Sequence, residues 1–295
     1  MNFDRWKSND DYTYAYKIFN RYHTYMNSLY WSYAPAYAYS QIAYSQKKKE
    51  GGQLPTTHEL FNLSGKDSER VASNLDDWSR HFKEFDNWTR LNALLSLNSY
   101  FEIYLSSVVS LAVESDIGLQ FAASKSVDGL TIVKNGNSRG YSFFDISREI
   151  TMGEWSKRRK RFKEIFGSAP QELTTYEKDL EKIRNIRNSV AHSFGRDIEK
   201  SRSRSQTDIL EIQRISIKTL KKYMSIIRAV ARSIDEQLLN NHIGDYEAVF
   251  YYHEIKSTLP VNNHVKEFKK KLNSLYVKQK SFSYCEQLIE YYDSL

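Results

Sequence analysis

Residues Trp88 to Val113 read WTRLNALLSLNSYFEIYLSSVVSLAV, and this stretch decides the fold class. Its apolar residues lie around most of the circumference of a helix, which is typical of a central helix covered on several sides. The 295-residue chain has only four prolines and eleven glycines. Because few residues break helices, long helices are favoured over a sandwich of many strands. We therefore expect a mostly α-helical protein.

Two polar residues, Asn98 and Glu102, stand inside this apolar stretch. A buried polar side chain needs a hydrogen-bond partner. Each is therefore either a satisfied core group or a residue that supports a functional site. Glu102 is the candidate for the supporting role.

Upstream, apolar residues at alternating steps of four and three begin at Val71 and predict one long helix to Ser115, or two helices broken near Asp86. Residues 1–56 form a tyrosine-rich segment, with ten tyrosines in the first 45 positions, that ends in Lys and Gly. Its spacing predicts a helical arm and a linker. The rings pack on the main body or on a partner chain, or they stack on RNA bases.

Downstream, residues Gly129 to Ile146 contain two β-prone runs around Asn135-Gly136, which predict a small β-hairpin inserted between helices. A basic helix around Trp155 to Phe166, a helix from Gln171 to about Phe194 and an amphipathic helix from Ile209 to Leu238 follow. We expect residues 57–241 to form one helical domain with the hairpin near 129–146. Residues 242–295 are expected to form a C-terminal helical extension.

The net charge is +7, and residues 151–206 hold fourteen Lys or Arg against eight Asp or Glu. One stretch therefore carries six of the seven units of net positive charge, which indicates either an anionic partner or a solvated basic face.

The single cysteine, Cys285, excludes an intramolecular disulfide and a zinc site built on paired cysteines. The amino-terminal residues do not resemble a secretory signal, and no apolar stretch approaches the roughly 20 residues that span a bilayer. We expect a cytoplasmic protein without membrane association, and we find no motif for a metal or another cofactor.

Three residues near the end of the basic stretch, Arg187, Asn188 and His192, form the pattern R-N-x-x-x-H. Histidine titrates near neutral pH and can act as general acid or base. Arginine offers a planar set of donors that fits phosphate oxygens. Asn188 would hydrogen-bond His192 or the phosphate. Such a set suits the cleavage of RNA by its 2′-hydroxyl, and the strict pattern arises by chance in only roughly 1% of chains of this length.

The pattern resembles the signature of the HEPN superfamily, and the resemblance covers about residues 67 to 240, including the helix with SYFEIYL. The resemblance implies a HEPN-like helical bundle, a homodimer and metal-independent endoribonuclease activity, as in toxins and antiviral, abortive-infection effectors. It also implies RNA as the substrate, Arg187, Asn188 and His192 as the catalytic residues, and a cognate inhibitor or sensor protein as a further partner. Nucleotidyltransferase-paired HEPN toxins carry a Tyr two residues after the His, where this chain has Phe194.

Helix geometry places Asn188 and His192 on one face, but Arg187 about 140° away from His192. A bent helix end or a second copy of the chain would have to complete the site. The candidates that bind the RNA backbone are Arg184, Lys157, Arg158, Arg159, Lys160, Arg161 and Lys163. Two alternatives stay open: the motif caps a helix end, or the fold binds RNA or protein without cleaving.

Overall fold

The computed structural model describes residues 3–136, 144–193, 212–275 and 278–295, and the side chains of 144, 145, 192 and 193 lie outside this description. The described part of the chain is mostly α-helical and contains no strand, so the predicted fold class is confirmed at this level. An isolated β-bridge pairs Asp116 with Asp128.

The α-helices are α1 (Tyr14–Glu50), α2 (Thr57–Phe61), α3 (Leu75–Ser115), α4 (Gly129–Lys134), α5 (Phe144–Thr151), α6 (Trp155–Phe166), α7 (Gln171–Thr175), α8 (Glu177–Ser193), α9 (Ile217–Leu238), α10 (Tyr246–Ile255), α11 (His264–Leu275) and α12 (Phe282–Ser294). Shorter 3₁₀ segments cover Lys66–Arg70, Ile117–Phe121 and Lys256–Thr258, and a π-helical turn covers Leu239–Ile243.

The apolar stretch of the sequence lies in α3, a single helix of 41 residues that continues through Asp86 without a break. Leu94, Leu97, Val108 and Val109 of this helix are completely buried. The prediction of a covered central helix is confirmed, and the alternative of two helices is wrong.

The predicted β-hairpin is not found among the residues that the structure describes. Its first β-prone run forms α4, and the described end of the second run lies in α5, while residues 137–143, which include the rest of the second run, are outside the description. The Asp128 carboxylate caps α4 by accepting a hydrogen bond from the backbone N–H of Leu130 at 3.0 Å. Such a cap satisfies a free donor of the first turn and outweighs a modest β-propensity.

The helix boundaries after the hairpin region also differ from the predictions in detail. The predicted helix that begins at Gln171 is divided into α7 and α8, with a turn at Tyr176 between them. The predicted helix from Ile209 begins at Ile217, and residues 194–211 lie outside the description.

The chain divides into two compact units that differ from the three predicted segments. Unit 1 contains Met1–Asn20, Phe101–Glu181 and Ile226–Leu295, and unit 2 contains Arg21–Tyr100 and Lys182–Ser225.

In unit 1, the start of the tyrosine-rich arm packs on the body. Tyr16 and Phe19 are buried and lie with their ring centroids 6.0 Å and 5.3 Å from the ring of Tyr104. The C-terminal helices belong to the same core, since Tyr252 of α10 contacts Phe268 of α11 and Tyr292 of α12.

The residues near the N-terminus are also built into unit 1. The backbone oxygen of Arg5 accepts a hydrogen bond from the backbone N–H of Asp245 at 2.8 Å. Gly244, at φ +55°, lies directly beside it, and a Cβ there would stand 2.2 Å from that oxygen. Only glycine fits this approach.

In unit 2, Leu91 and Leu94 of α3, Ile183 of α8 and Leu220 of α9 are buried. Two later tyrosines of α1 also pack here: the Tyr22 ring stacks on Tyr100 with a centroid distance of 4.3 Å, and Tyr30 is buried. Ring packing therefore accounts for these two tyrosines, whereas Tyr25 and Tyr39 are exposed.

Candidate functional site

The candidate catalytic residues lie in the second half of α8. This helix begins with the acidic residues Glu177 and Asp179. Their negative charges interact favourably with the positive, N-terminal end of the helix dipole. Its residues Ile183, Ile186 and Val190 are buried at steps of three and four, so they fix the rotation of this half of the helix.

Arg187 and Asn188 are half-buried. The Arg187 guanidinium donates a hydrogen bond from Nη1 to the Asn188 side-chain oxygen at 3.1 Å. Adjacent positions on a helix point about 100° apart, so the long Arg side chain must bend back to reach Asn188. This contact leaves the Asn188 amide able to donate and orients the guanidinium.

The backbone of His192 belongs to α8, one helical turn after Asn188, but its side chain lies outside the description. Arg187 and Asn188 bring together a permanent positive charge and an amide that orients it, and histidine is a residue type that moves protons near neutral pH; phosphodiester cleavage uses all three kinds of group.

The capping alternative depends on the end of this helix. α8 ends at Ser193, so His192 belongs to the last turn, where a cationic side chain is favoured by the helix dipole. Gly195, the predicted helix stop, and Phe194 lie outside the described residues.

Glu102 finds its partner within unit 1. Its carboxylate lies 3.7 Å from the guanidinium of Arg158 in α6. The arrangement matches the satisfied-core interpretation of Glu102, because a half-buried carboxylate here neutralises a buried cation.

Arg158 itself is 4% exposed. Its Nε donates to the backbone oxygen of Gly153 at 2.9 Å, and its guanidinium lies 4.6 Å from the centre of the Trp155 ring. Arg158 is therefore too buried to bind RNA as predicted. The sequence spacing placed six basic residues in one helix, but only packing determines which of them turns inward.

The other basic residues of α6 face solvent to different degrees, and most of them pair with carboxylates. Arg159 contacts Glu177, and Arg161 contacts Glu149 and Glu164. Lys157 and Lys160 form looser pairs with Glu154 at 3.5 Å and Glu164 at 3.9 Å. Neighbouring carboxylates lower the positive potential of this helix, so the face is a weaker attractor for phosphate than its sequence indicated.

The remaining RNA-binding candidates are placed differently. Lys163 is exposed on α6, and no ion pair is found for it in the described part of the chain. Arg184 lies on α8, three residues before Arg187, and is half-buried. Arg184 therefore lies next to the motif on the same side of the helix.

One polar region was not predicted to be a functional site from the sequence. A cleft in unit 2 is lined by α1, by the first turns of α3 and by Ile212 and Arg214. In the sequence, the cleft corresponds to a row of polar residues in α3 at steps of four and three: Ser79, Lys83, Asn87 and Arg90. Such a row is also typical of a solvated helix face, so spacing alone could not single it out.

Comparison of the chain with protein-family models, with curated proteins and with solved structures finds no match in any of the three. In the described residues, no helix is both long and apolar enough to cross a membrane. No cluster of three or more His, Cys, Asp or Glu side chains with the geometry of a metal site occurs in the same residues.

Proposed function

We propose that the protein is a HEPN-type endoribonuclease that cleaves RNA without a metal ion. The observation that carries this proposal is the R-N-x-x-x-H pattern on α8, with the Arg187 guanidinium held on the Asn188 side chain at 3.1 Å. A hydrogen bond between charged and neutral side chains fixes the fork of the arginine before substrate arrives, and preorganised charge is the largest common contribution to catalysis of this kind.

In the proposed reaction, His192 removes the proton of a 2′-hydroxyl, and the 2′-oxygen attacks the adjacent phosphorus. The bond from phosphorus to the 5′-oxygen breaks, and that oxygen receives a proton. The products are a 2′,3′-cyclic phosphate and a free 5′-hydroxyl. Arg187 stabilises the negative charge that builds on the phosphate oxygens.

The acid step needs a second proton carrier, and the HEPN resemblance supplies one through a homodimer with a second His192 at a two-fold axis. The same resemblance suggests a cytoplasmic toxin or antiviral, abortive-infection effector under the control of an inhibitor or sensor protein. A monomer at micromolar concentration by light scattering would contradict the composite site.

The activity is tested by incubating purified protein with a labelled RNA in EDTA. Wild-type protein should produce fragments that end in a cyclic phosphate. His192→Ala should lower the rate at least ~100-fold, the usual contribution of a general acid or base. His58→Ala removes the same side chain in α2 and should leave the rate unchanged.

A second variant separates catalysis from capping. Arg187→Lys keeps the positive charge near the helix end but loses the planar fork, so it should retain stability and lose most of the cleavage rate. Equal cleavage by His192→Ala and wild type would falsify the proposal. RNA binding without any product by the wild type would favour the noncatalytic alternative.

A further inference from the structure

The cleft in unit 2 is large enough for a small ligand. Its volume is about 790 Å³, within the range of about 300–1,000 Å³ that is usual for ligand sites. It is lined by Tyr37, Tyr44, Asp76, Ser79, Arg80, His81, Lys83, Glu84, Asp86, Asn87, Arg90, Ile212 and Arg214.

The polar groups of the cleft are buried but incompletely paired. Ser79 is 1% exposed, and its hydroxyl has no hydrogen-bond partner in the part of the chain that the structure describes. Arg90 pairs with Asp86 through Nη1 at 2.6 Å, but its buried Nε also finds no partner among the described residues. A buried polar atom without a partner costs free energy, so natural proteins keep few of them unless something else binds there.

Asp86 shows the same need for a further donor. Burial raises the pKa of its carboxyl above the ordinary value, although Arg90 acts in the opposite direction. The charged carboxylate is therefore poorly solvated, and an N–H group from a ligand would stabilise it.

The wall opposite is held in place by Asn87. Its amide nitrogen donates to the backbone oxygen of Gln213 at 2.9 Å, and its oxygen accepts from the backbone N–H of Ile215 at 3.0 Å. Both ends of this side chain are used, so Asn87 positions Ile212 and Arg214 at the cleft.

Aromatic rings and cations complete the lining. Tyr37 and Tyr44 line the cleft from α1, and the Lys83 ammonium lies 5.9 Å from the centre of the Tyr44 ring. Asp76 accepts a hydrogen bond from the Tyr44 hydroxyl at 2.6 Å and pairs with Lys48 at 2.8 Å, so this carboxylate does not repel an anion strongly. Lys83 is exposed, and Arg80 lies beside it on α3.

From this arrangement we infer that the cleft binds a nucleotide unit, with the base in the polar interior and the phosphate near Lys83. An apolar ligand would leave the Ser79 hydroxyl and the Arg90 Nε without partners. A bare phosphate would meet a nearly balanced set of charges and could not stack on the rings of Tyr37 and Tyr44. A base offers both a flat face for tyrosine and hydrogen-bonding groups for the polar interior.

The lining also predicts which bases bind. Asp86 can only accept hydrogen bonds when charged, and Arg90 can only donate them. Guanine offers two adjacent donors, its N1–H and its exocyclic amino group, to the Asp86 carboxylate, and acceptors to Arg90. Uracil offers one donor, so guanine is preferred over uracil. The unit can be a free nucleotide or part of an RNA strand, because both offer the same base and phosphate.

The inference does not depend on Arg187, Asn188 and His192, and it is tested by binding alone. Full-length His192→Ala protein is titrated calorimetrically with 5′-GMP, with 5′-UMP, with ribose 5-phosphate and with a short 2′-O-methyl oligonucleotide rich in G, which cannot be cleaved. Binding of 5′-GMP indicates a free nucleotide. Binding of the oligonucleotide alone indicates a unit within a strand.

Two variants locate the bound ligand, each with a matched control. Ser79→Ala and Lys83→Gln should each weaken binding by roughly 3- to 10-fold, the usual effect of one hydrogen bond or exposed charge. Ser99→Ala removes a hydroxyl of the same helix that donates to the backbone oxygen of Leu95 at 3.0 Å. Lys266→Gln removes an exposed charge from α11. Both controls should bind as the parent protein does.

Three results would overturn the inference. These are no binding of either the free nucleotide or the oligonucleotide, equal affinity for 5′-GMP, 5′-UMP and ribose 5-phosphate, or unchanged affinity in both cleft variants. Loss of cleavage activity has no bearing on any of them, so a failure of the proposed ribonuclease activity remains distinguishable.

Discussion

Buried polar side chains in the interior of unit 1 and in the cleft of unit 2 differ in how completely they are hydrogen-bonded. In unit 1, the buried Arg5 guanidinium donates to both oxygens of Asp128 at 2.6 and 2.9 Å and to two backbone oxygens. In unit 2, the hydroxyl of Ser79 and the Nε of Arg90 lack partners among the described residues. The first arrangement ties distant segments together, whereas the second leaves hydrogen-bonding capacity for a ligand.

The buried carboxylate of Asp116 in unit 1 follows the first pattern. Asp116 accepts hydrogen bonds from His242 at 3.0 Å and from the Ser124 hydroxyl and the Lys125 N–H at 2.6 Å each. Although burial alone would raise the pKa of Asp116, these donors hold it below the ordinary value. These donors therefore keep the buried Asp116 carboxylate charged.

The largest effect is expected when the Arg5 ion pair is broken. Arg5→Met removes donors from Asp128 and from the backbone oxygens of Ser115 and Ile243, so it should reduce the free energy of unfolding by about 3–5 kcal/mol. Urea unfolding followed by circular dichroism measures the loss. Arg80→Gln removes an exposed guanidinium from unit 2 and should change stability by no more than about 0.5 kcal/mol.

A double variant sharpens this result. Arg5→Met combined with Asp128→Asn removes both charges and should recover part of the loss, because the penalty for an unpaired buried charge disappears. If the double variant lost more free energy of unfolding than the two single variants lose together, the ion pair would not be the source of the effect.

The second-largest expected effect is a pH dependence of stability caused by the titration of Asp235 in unit 1. Burial raises the pKa of Asp235 to about 6, although hydrogen bonds from Thr13 act in the opposite direction. The unfolded chain releases this proton near the ordinary value of 3.8, so between these two values the folded protein holds more protons. Stability therefore falls as the pH rises from about 4 to 7.

The measurement compares wild type with Asp235→Asn across this range. The asparagine does not titrate and can still accept from the backbone N–H of Thr13, so the variant should lose about 1–3 kcal/mol less than wild type between pH 4 and 7. Asp77→Asn removes an exposed carboxylate and should keep the wild-type slope. Identical slopes for all three proteins would show that Asp235 titrates in the same way in both states.

The smallest expected change in stability comes from a Ser→Ala substitution made once in each unit. Ser115 in unit 1 is buried and donates its hydroxyl to the backbone oxygen of His242 at 2.7 Å, so Ser115→Ala should cost about 1–2 kcal/mol. Ser79→Ala in unit 2 removes a hydroxyl without a partner and should be neutral or slightly stabilising. Differential scanning calorimetry measures both changes, and an equal loss in the two variants would contradict the difference between the units.

Local patterns allowed much of the fold to be predicted. The apolar stretch of α3, the helix around Trp155 and the helix that carries Arg187 and Asn188 all appear where the spacing placed them. Helical spacing is a short-range property, because residues three and four apart share a face whatever the rest of the chain does. The motif on α8 is equally local, and its chemical role stays a prediction.

The β-prone run after Asp128 could not be assigned correctly on local grounds. Its β-propensity pointed to a strand, but the cap from Asp128 and a hydrogen bond from Lys134 to the backbone oxygen of Tyr292 at 2.8 Å accompany a helix. The second contact joins residues 158 positions apart. No pattern within the run contains that information.

The sequence by itself thus determined the helical class, the central helix and the position of the R-N-x-x-x-H residues, because each depends on neighbours within a few turns. Only the tertiary structure decided that Arg158 points inward, that Arg5 binds Asp128 and that the cleft along α3 keeps unpaired polar groups. These outcomes depend on which distant residue supplies a partner, and the energy of a buried polar group is set by that partner rather than by its own position in the sequence.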